Sequence, residues 1–201
     1  MLNLIRRDLI LQKVMILTFI PFILFFVVMG SHPILTFFLA SVFIPFNAYA
    51  YDERSDVNIL LNSLPYTRKE IIAARYLGAL VYMVIACILV VAMLLLFGRE
   101  FVWTDLLLGG TLFLVFSAIT FPLFYVFKQG YITAVLMGSV IVGAGVGPII
   151  VRFLADYMTT ITKFIMETPL VTLSVGAAAV ATVLYLVSWG FTTVVYQRKA
   201  F

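Results

Sequence analysis

Apolar residues follow one another along this chain in long blocks, which short polar stretches interrupt. A helix needs about 20 predominantly apolar residues to cross a bilayer, and several blocks reach that length. The blocks lack the alternation of apolar and polar residues that the strands of a membrane β-barrel require. The pattern predicts an all-α integral membrane protein with a single domain, residues 1–201. Its six transmembrane helices are predicted at 14–29, 34–51, 71–97, 106–127, 131–150 and 170–195.

The polar stretches contain residues that end helices. "GSHP" at 30–33 separates the first two spans, and "KQG" at 128–130 predicts a tight turn before the fifth span. The first two spans are short for helices that cross a bilayer.

Composition indicates that lipid is the main solvent of this chain. Hydrophobic residues make up 64% of it, charged residues make up 11%, and the mean hydropathy is +1.17. A soluble domain is about half apolar and a quarter charged, so these charges are too few for a water-exposed surface. The basic residues stand at the ends of apolar blocks rather than in one patch. This placement argues against nucleic acid and for the lipid bilayer as partner.

The basic residues also predict how the spans are oriented. If both termini lie on one side, ten of the 13 Lys and Arg residues lie on that side. Cytoplasmic loops are enriched in Lys and Arg, so both termini and the 52–70 loop are predicted to face the cytoplasm. The three basic residues on the other side are Arg99, Arg152 and Lys163.

Two segments outside the spans are amphipathic. Residues 1–13 predict an interfacial helix that lies along the headgroups, with a solvated stub as the alternative. Residues 150–168 have apolar side chains at helical spacing and form either an ordinary surface helix or outer re-entrant or amphipathic helices. We favour the second interpretation because "GAGVGP" at 143–148 predicts that the chain turns back into the membrane.

Residues 52–66 form the polar interruption between the second and third spans. Their apolar residues fall on one helical face, and Pro65 disfavours helix at the residue before it. Thr67 and Glu70 predict a capping box that starts a new helix. A solvated connector would need only a few residues. A short cytoplasmic helix that docks onto a partner protein is therefore favoured over a plain connector.

The stretch "YDERSDVNILLNSLPYTRKEIIAARYLGAL" at 51–80 resembles the cytoplasmic loop of bacterial type 2 ABC-transporter permeases. That family has an acidic residue after the second span, then a "SLP-x-[ST]-R-x-x-[IV]" stretch and "[KR]-Y-L" at the third span. The matching residues here are Glu53, Ser63, Leu64, Pro65, Thr67, Arg68, Ile71, Arg75, Tyr76 and Leu77. The layout of six spans with both ends inside is also similar, particularly to small permeases of amphipathic-peptide exporters.

This resemblance implies a location, a function and partners. Such permeases are multi-pass membrane subunits of exporters in the bacterial plasma membrane. Their loop is a coupling helix that docks into a separate ATP-binding subunit, which binds ATP and Mg. By resemblance, residues 1–13 are the connecting helix and residues 150–167 the outer re-entrant helices. The docking residues that the resemblance implies are Glu53, Arg54, Val57, Leu60, Leu61, Leu64, Pro65, Tyr66, Thr67 and Arg68.

A second copy of the permease is also expected, either identical or paralogous. One copy with two short spans is too small to enclose a path alone, so the active form is predicted to be a dimer.

The positions of the acidic residues indicate an external energy source, independently of the family resemblance. All nine fall outside the predicted span cores, whereas ion-coupled transporters bury carboxylates at mid-membrane. The phosphate-binding pattern G-x-x-x-x-G-K-[ST] does not occur, and neither do common hydrolase motifs. We therefore expect no enzyme activity, cofactor or metal in this chain. His32 is expected to be an interfacial residue, and Asp52, Glu53 and Asp56 to be solvated rather than metal-bound.

Few polar residues lie inside the spans. Pro21, Pro45 and Pro122 predict kinks that expose backbone near Asn47 and Thr120, which are the candidate path-lining residues. A hydrogen bond to a neighbouring helix is the alternative explanation for Asn47. A path with so little charge suits an amphipathic or apolar cargo such as membrane-active peptides.

Small residues recur at four-residue spacing in two spans, where they allow close approach of helices. They are Ser139, Gly143 and Gly147 in the fifth span and Ala177 and Ala181 in the sixth. We expect both strips to pack within the chain rather than to form a dimer seam.

The sequence thus favours the membrane subunit of an ATP-driven exporter. The alternatives are a passive channel or secondary carrier, and a non-transporting membrane sensor or immunity protein. A membrane enzyme is less favoured than either.

Overall fold

The computed structural model describes residues 13–54, 67–126, 132–157 and 167–198, which fold almost entirely into helices. No strand occurs in these ranges, which confirms the all-α prediction there. The helices are α1 Lys13–Val28, α2 Pro33–Arg54, α3 Arg68–Leu96, α4 Trp103–Val126, α5 Ile132–Tyr157 and α6 Leu170–Arg198.

Three of these helices, α3, α4 and α6, are long and apolar enough to cross a membrane. With 29 residues each, α3 and α6 are about 43 Å long. The other three contain shorter apolar stretches, at Phe19–Val28, Pro33–Asn47 and Met137–Phe153.

The turns that join α1 to α2 and α3 to α4 depend on glycine. Gly30 and Gly98 follow α1 and α3 with φ of 72° and 59°, in the left-handed region that glycine adopts without strain. His32 precedes α2 and accepts the Leu35 N–H at its carbonyl, and Pro33 occupies the first helical position. The break predicted at "GSHP" is confirmed.

The helices pack mainly around α4 and α6, which share the most extensive contact. α2 packs against α3 and α4, and α1 lies against α2 and α3. α5 has its main contacts with α4 and α2, and most of its described side chains are exposed. Lipid tails are as apolar as these surfaces, so helix association depends on close packing and hydrogen bonds.

Two clusters of buried side chains form the interior. One lies between α3, α4 and α6 and includes Tyr76, Phe121 and Tyr185. The other lies between α1, α2 and α3 and includes Phe19 and Val90. Aromatic rings dominate the first cluster, where Tyr76 and Phe121 meet edge to face with centroids 5.1 Å apart.

The turn predicted at "GAGVGP" does not form. α5 continues through Pro148 to Tyr157, so residues 150–157 extend the helix instead of starting a re-entrant segment. Proline removes one helical hydrogen bond, and glycine weakens a helix. Lipid, however, offers no hydrogen-bond partner to backbone groups outside a helix, so continuing the helix is favoured. Residues 158–166 lie outside the described ranges.

The small residues of α5 do not pack as expected. A Cβ at Gly143 or Gly147 would have no atom within 4 Å in the described part of the chain, so the predicted intrachain packing is wrong for these positions. On α6, Ala181 is fully buried whereas Ala177 is exposed.

A close approach of helices occurs instead between α2 and α4. A Cβ at Gly109 would lie 2.8 Å from Cδ1 of Phe37 and 2.9 Å from the backbone oxygen of Ile34. At the neighbouring Gly110 it would lie 3.5 Å from Cε1 of Phe37, which is ordinary van der Waals contact.

We predict that Gly109→Ala destabilises the protein and that Gly110→Ala does not. The added methyl group at position 109 pushes against the α2 backbone, an overpacking that costs about 1–3 kcal/mol. Thermal unfolding in detergent should show a lower midpoint for Gly109→Ala only. An equal or higher midpoint for Gly109→Ala would contradict the close approach of α2 and α4.

Candidate functional site

The N-terminus of α3 is fixed by the predicted capping box, which is present in the structure. The Thr67 hydroxyl accepts the Glu70 N–H at 3.3 Å and donates to Oε2 of Glu70 at 2.8 Å. The same carboxylate oxygen accepts the Thr67 N–H at 2.9 Å. Glu70 precedes the apolar run that begins at Ile71. The backbone and then the side-chain hydrogen bond from Thr67 lower the pKa of its carboxyl group.

Arg68 connects this helix start to the end of α6. Its Nη1 donates to the backbone oxygen of Gln197 at 2.9 Å and to that of Tyr196 at 3.5 Å. The last carbonyls of a helix lack intrahelical donors and carry its partial negative charge, so a guanidinium there satisfies both needs. The first turn of α3 is therefore tied to the last turn of α6.

The segment of α3 that follows its first turn is enclosed on all sides. Every residue from Ile71 to Tyr76 is buried, including Arg75, whose side chain is only 8% exposed. Further along the helix, buried positions recur only every three or four residues, as at Ala79, Tyr82 and Ala86. α3 thus has a partly exposed first turn, passes through the bundle at residues 71–76 and then runs along its surface.

Hydroxyl groups form a continuous chain at the end of this enclosed segment. The Tyr76 hydroxyl lies 2.9 Å from Oγ of Ser188 and 2.8 Å from Oγ1 of Thr192, and Tyr185 donates to the Tyr76 carbonyl at 2.9 Å. Ser188 donates its proton to the backbone oxygen of Ala118 at 2.7 Å. Since each hydroxyl has one proton, Thr192 donates to Tyr76 and Tyr76 donates to Ser188.

The end of this chain of hydroxyls depends on a proline. Pro122 has no N–H, so the Ala118 carbonyl four residues before it lacks its usual helical donor. The Ser188 hydroxyl supplies that donor from α6. The kink residue predicted from the sequence therefore creates an acceptor that joins α4 to α3 and α6.

We call the capping box, Arg68 and the hydroxyl chain the α3 joint. It is defined by Thr67, Arg68, Glu70, Tyr76, Tyr185, Ser188 and Thr192. Within a few turns it connects α3 to α6 and, through Ala118, to α4. The start of α3 is therefore linked by hydrogen bonds to two other helices.

Sequence reasoning missed the α6 side of this joint. Tyr185, Ser188 and Thr192 lie at i, i+3 and i+7, so they share one helical face, which Ala181 and Tyr196 continue. A stripe of hydroxyl-bearing residues in an otherwise apolar helix is the signal that would have found it. Its partner, Tyr76, was recognised only as part of a loop motif.

The predicted docking residues are mostly outside the described ranges. Glu53 and Arg54 are the last residues of α2, and the structure describes their backbone only. Thr67 and Arg68 belong to the α3 joint. The remaining docking residues lie outside the described ranges: Val57, Leu60, Leu61, Leu64, Pro65 and Tyr66.

The two candidate path-lining residues bond to their own helices. Asn47 donates to the backbone oxygen of Phe43 at 3.0 Å, so the hydrogen bond to a neighbouring helix, offered as an alternative, is not what holds this side chain. Thr120 is fully buried and donates to the backbone oxygen of Phe116 at 2.6 Å. In this conformation Thr120 lines no open path.

We predict that Thr192→Val destabilises the protein by about 1 kcal/mol, the scale of a hydrogen bond between membrane helices. Thr193→Val is the matched control, since within the described part of the chain Thr193 donates to Trp189 of its own helix and not to another helix. Reversible unfolding in mixed micelles measures the difference. Equal stability of the two variants would show that the hydroxyl chain does not hold α3 to α6.

Comparison with known proteins identifies the family. Residues 3–197, nearly the whole chain, match the family model described as "ABC-2 family transporter protein". Comparison with curated proteins and with solved structures found no match. The match agrees with the type 2 permease resemblance, and with the long apolar helices it indicates a multi-pass membrane protein. The chain belongs to the ABC-2 transporter family.

Proposed function

We propose that this chain is the membrane-spanning permease subunit of an ATP-driven exporter. A separate ATP-binding subunit would bind ATP and Mg and supply the energy. Family membership supports this, since ABC-2 permeases typically work with such a subunit. The burial pattern supports it too, because no Asp or Glu is buried among the side chains the structure describes. A proton- or cation-coupled carrier would be expected to bury one.

The observation that carries the proposal is the α3 joint. It stands immediately after the segment expected to dock onto the ATPase, residues 52–66, and it connects that segment to three helices. α3 and α6 are also the two described helices without an internal proline. A force applied before Thr67 would therefore act on two unkinked helices tied to each other at one end.

In the proposed mechanism, the α3 joint passes motion of the ATPase subunits to the helices. Closure of the ATPase subunits pushes on Glu53–Arg68, and Thr67 and Glu70 transmit the push because the capping box holds the helix start rigidly. Arg68 and the hydroxyl chain carry α6 with α3. The path then opens towards the other side of the membrane.

The topology in this proposal has six spans, with both termini and residues 52–66 in the cytoplasm of a bacterial cell. The excess of basic residues on that side supports the orientation. α1, α2 and α5 serve as the shorter spans.

A second copy, identical or paralogous, would complete the path. α5 leaves Gly143 and Gly147 open, and large apolar side chains of α6 such as Val183 and Leu186 are exposed, so both helices have surface available to lipid or to another copy. The described interior is apolar and hydroxyl-bearing, which suits an amphipathic or apolar cargo such as a membrane-active peptide.

We predict that replacing Glu53 and Arg68 together with alanine weakens binding of the ATPase subunit about ten-fold and lowers ATP-dependent transport. Membrane insertion should be unchanged. Copurification of the ATPase and transport in ATP-loaded vesicles are the measurements. Lys69→Ala is the matched control, because Lys69 is the exposed neighbour of Arg68.

If both copurification and transport survive the double replacement, the docking assignment is wrong. Transport of the same cargo in vesicles without ATP would indicate a channel or carrier instead.

A further inference from the structure

A cavity of about 750 Å³ lies at the end of α3 opposite the joint. The α1–α2 turn contributes Gly30, Ser31 and His32 to its wall, and the α3–α4 turn contributes Arg99 and Glu100. Leu95, another lining residue, follows Arg68 by 27 positions, which corresponds to about 40 Å along a helix. That distance is close to the full thickness of a bilayer with its headgroups, about 40–45 Å. The cavity therefore lies at the headgroup level of the leaflet opposite the joint.

Opposite charges share this cavity without neutralising each other. The Arg99 guanidinium makes one long hydrogen bond, 3.5 Å to the backbone oxygen of Val28, and forms no ion pair with the described residues. Asp105 uses Oδ2 to accept the Val102 N–H at 3.1 Å, which leaves its other oxygen available. Glu100 is exposed at the same wall. The cavity thus presents one cationic group and two carboxylates to whatever enters it.

Gly30 keeps the space beside the guanidinium open. A Cβ at this position would lie 3.5 Å from Nη2 of Arg99, and the positive φ of Gly30 disfavours any other residue. The turn requires glycine at this position, and glycine has no side chain to cover the guanidinium. The N–H groups of Arg99 are therefore accessible from the cavity.

The rest of the wall is apolar and continues onto the lipid-facing surface. Val27 and Leu94 are buried at its base, whereas Leu95 is 66% exposed and Val102 is 60% exposed. Trp103, which follows Val102, is 78% exposed, and aromatic side chains of this kind favour the membrane interface. An occupant with a charged head and an apolar tail would match both parts of the wall.

We propose that this cavity binds a phospholipid whose headgroup carries both a phosphate and a primary ammonium, as in phosphatidylethanolamine. The phosphate accepts from the Arg99 guanidinium, whose planar fork matches two phosphate oxygens. The ammonium donates to Glu100 and to the available oxygen of Asp105. The acyl chains lie along Leu95 and Val102. An anionic lipid would leave both carboxylates facing its phosphate. This site does not depend on the proposed transport function.

Native mass spectrometry of the purified chain, with added lipids, tests this site. Phosphatidylethanolamine should bind roughly ten-fold more tightly than phosphatidylglycerol or phosphatidylcholine, since neither offers a primary ammonium for the carboxylates. Arg99→Gln should lower phosphatidylethanolamine affinity by a similar factor, and Glu100→Gln should reduce the preference over phosphatidylcholine, since Asp105 remains. Arg152→Gln is the matched control, because Arg152 is exposed on α5 away from the cavity.

Soluble phosphoethanolamine distinguishes a lipid from a free headgroup. The proposal expects it to bind much more weakly than the lipid, because it cannot contact the apolar wall. Equal affinity for the soluble compound and the lipid would overturn the lipid assignment. Equal affinity for the three lipids, or unchanged binding by a folded Arg99→Gln variant, would overturn the site itself. Thermal unfolding of each variant establishes that it is folded.

Discussion

The arrangement of α3, α4 and α6 depends on the Tyr76 hydroxyl, which lies between two hydroxyl groups of α6 at 2.8 and 2.9 Å. In lipid, apolar surfaces gain little by leaving one apolar environment for another, so helix pairs need packing and hydrogen bonds to select one arrangement. Tyr76 supplies both, because its ring also packs against Phe121 and stacks on Trp189. Ser188 extends the chain to a carbonyl that Pro122 leaves without a helical donor. Each of these polar groups provides a hydrogen-bond partner for another, so the hydrogen bonds stabilise the arrangement of the three helices cooperatively.

This constraint gives the two ends of α3 different properties. At one end the helix is capped, tied to α6 through Arg68 and, after its first turn, buried on all faces over residues 71–76. At the other end it leads through Gly98 into a turn that borders an open, charged cavity. No proline interrupts the 29 residues between them. One end is therefore fixed to the neighbouring helices, and the other borders an open space.

Local patterns in the sequence predicted much of this structure. The contacts between residues far apart in the chain were not predicted. The capping box at Thr67 and the break at "GSHP" depend on neighbouring residues, and both are present. The turn expected at "GAGVGP" failed because glycine and proline end helices reliably only where water can bond the freed backbone. The pairing of Tyr76 with α6 spans more than a hundred residues, and nothing in either segment alone specifies it. The spacing of small residues also failed to predict where helices approach closely, since Gly109 lies at a close helix contact and Gly143 does not.

The central claim is that the start of α3 and the end of α6 move as one body during transport. Lys69 and Gln197 are exposed on either side of the Arg68 contact and are suited to spin labels. The most direct test is the distance between labels at these positions, measured in the complex with the proposed ATPase subunit before and after ATP binding. A rigid joint predicts the same distance distribution in both states. Two distinct distributions would show that α3 separates from α6 and would contradict the account.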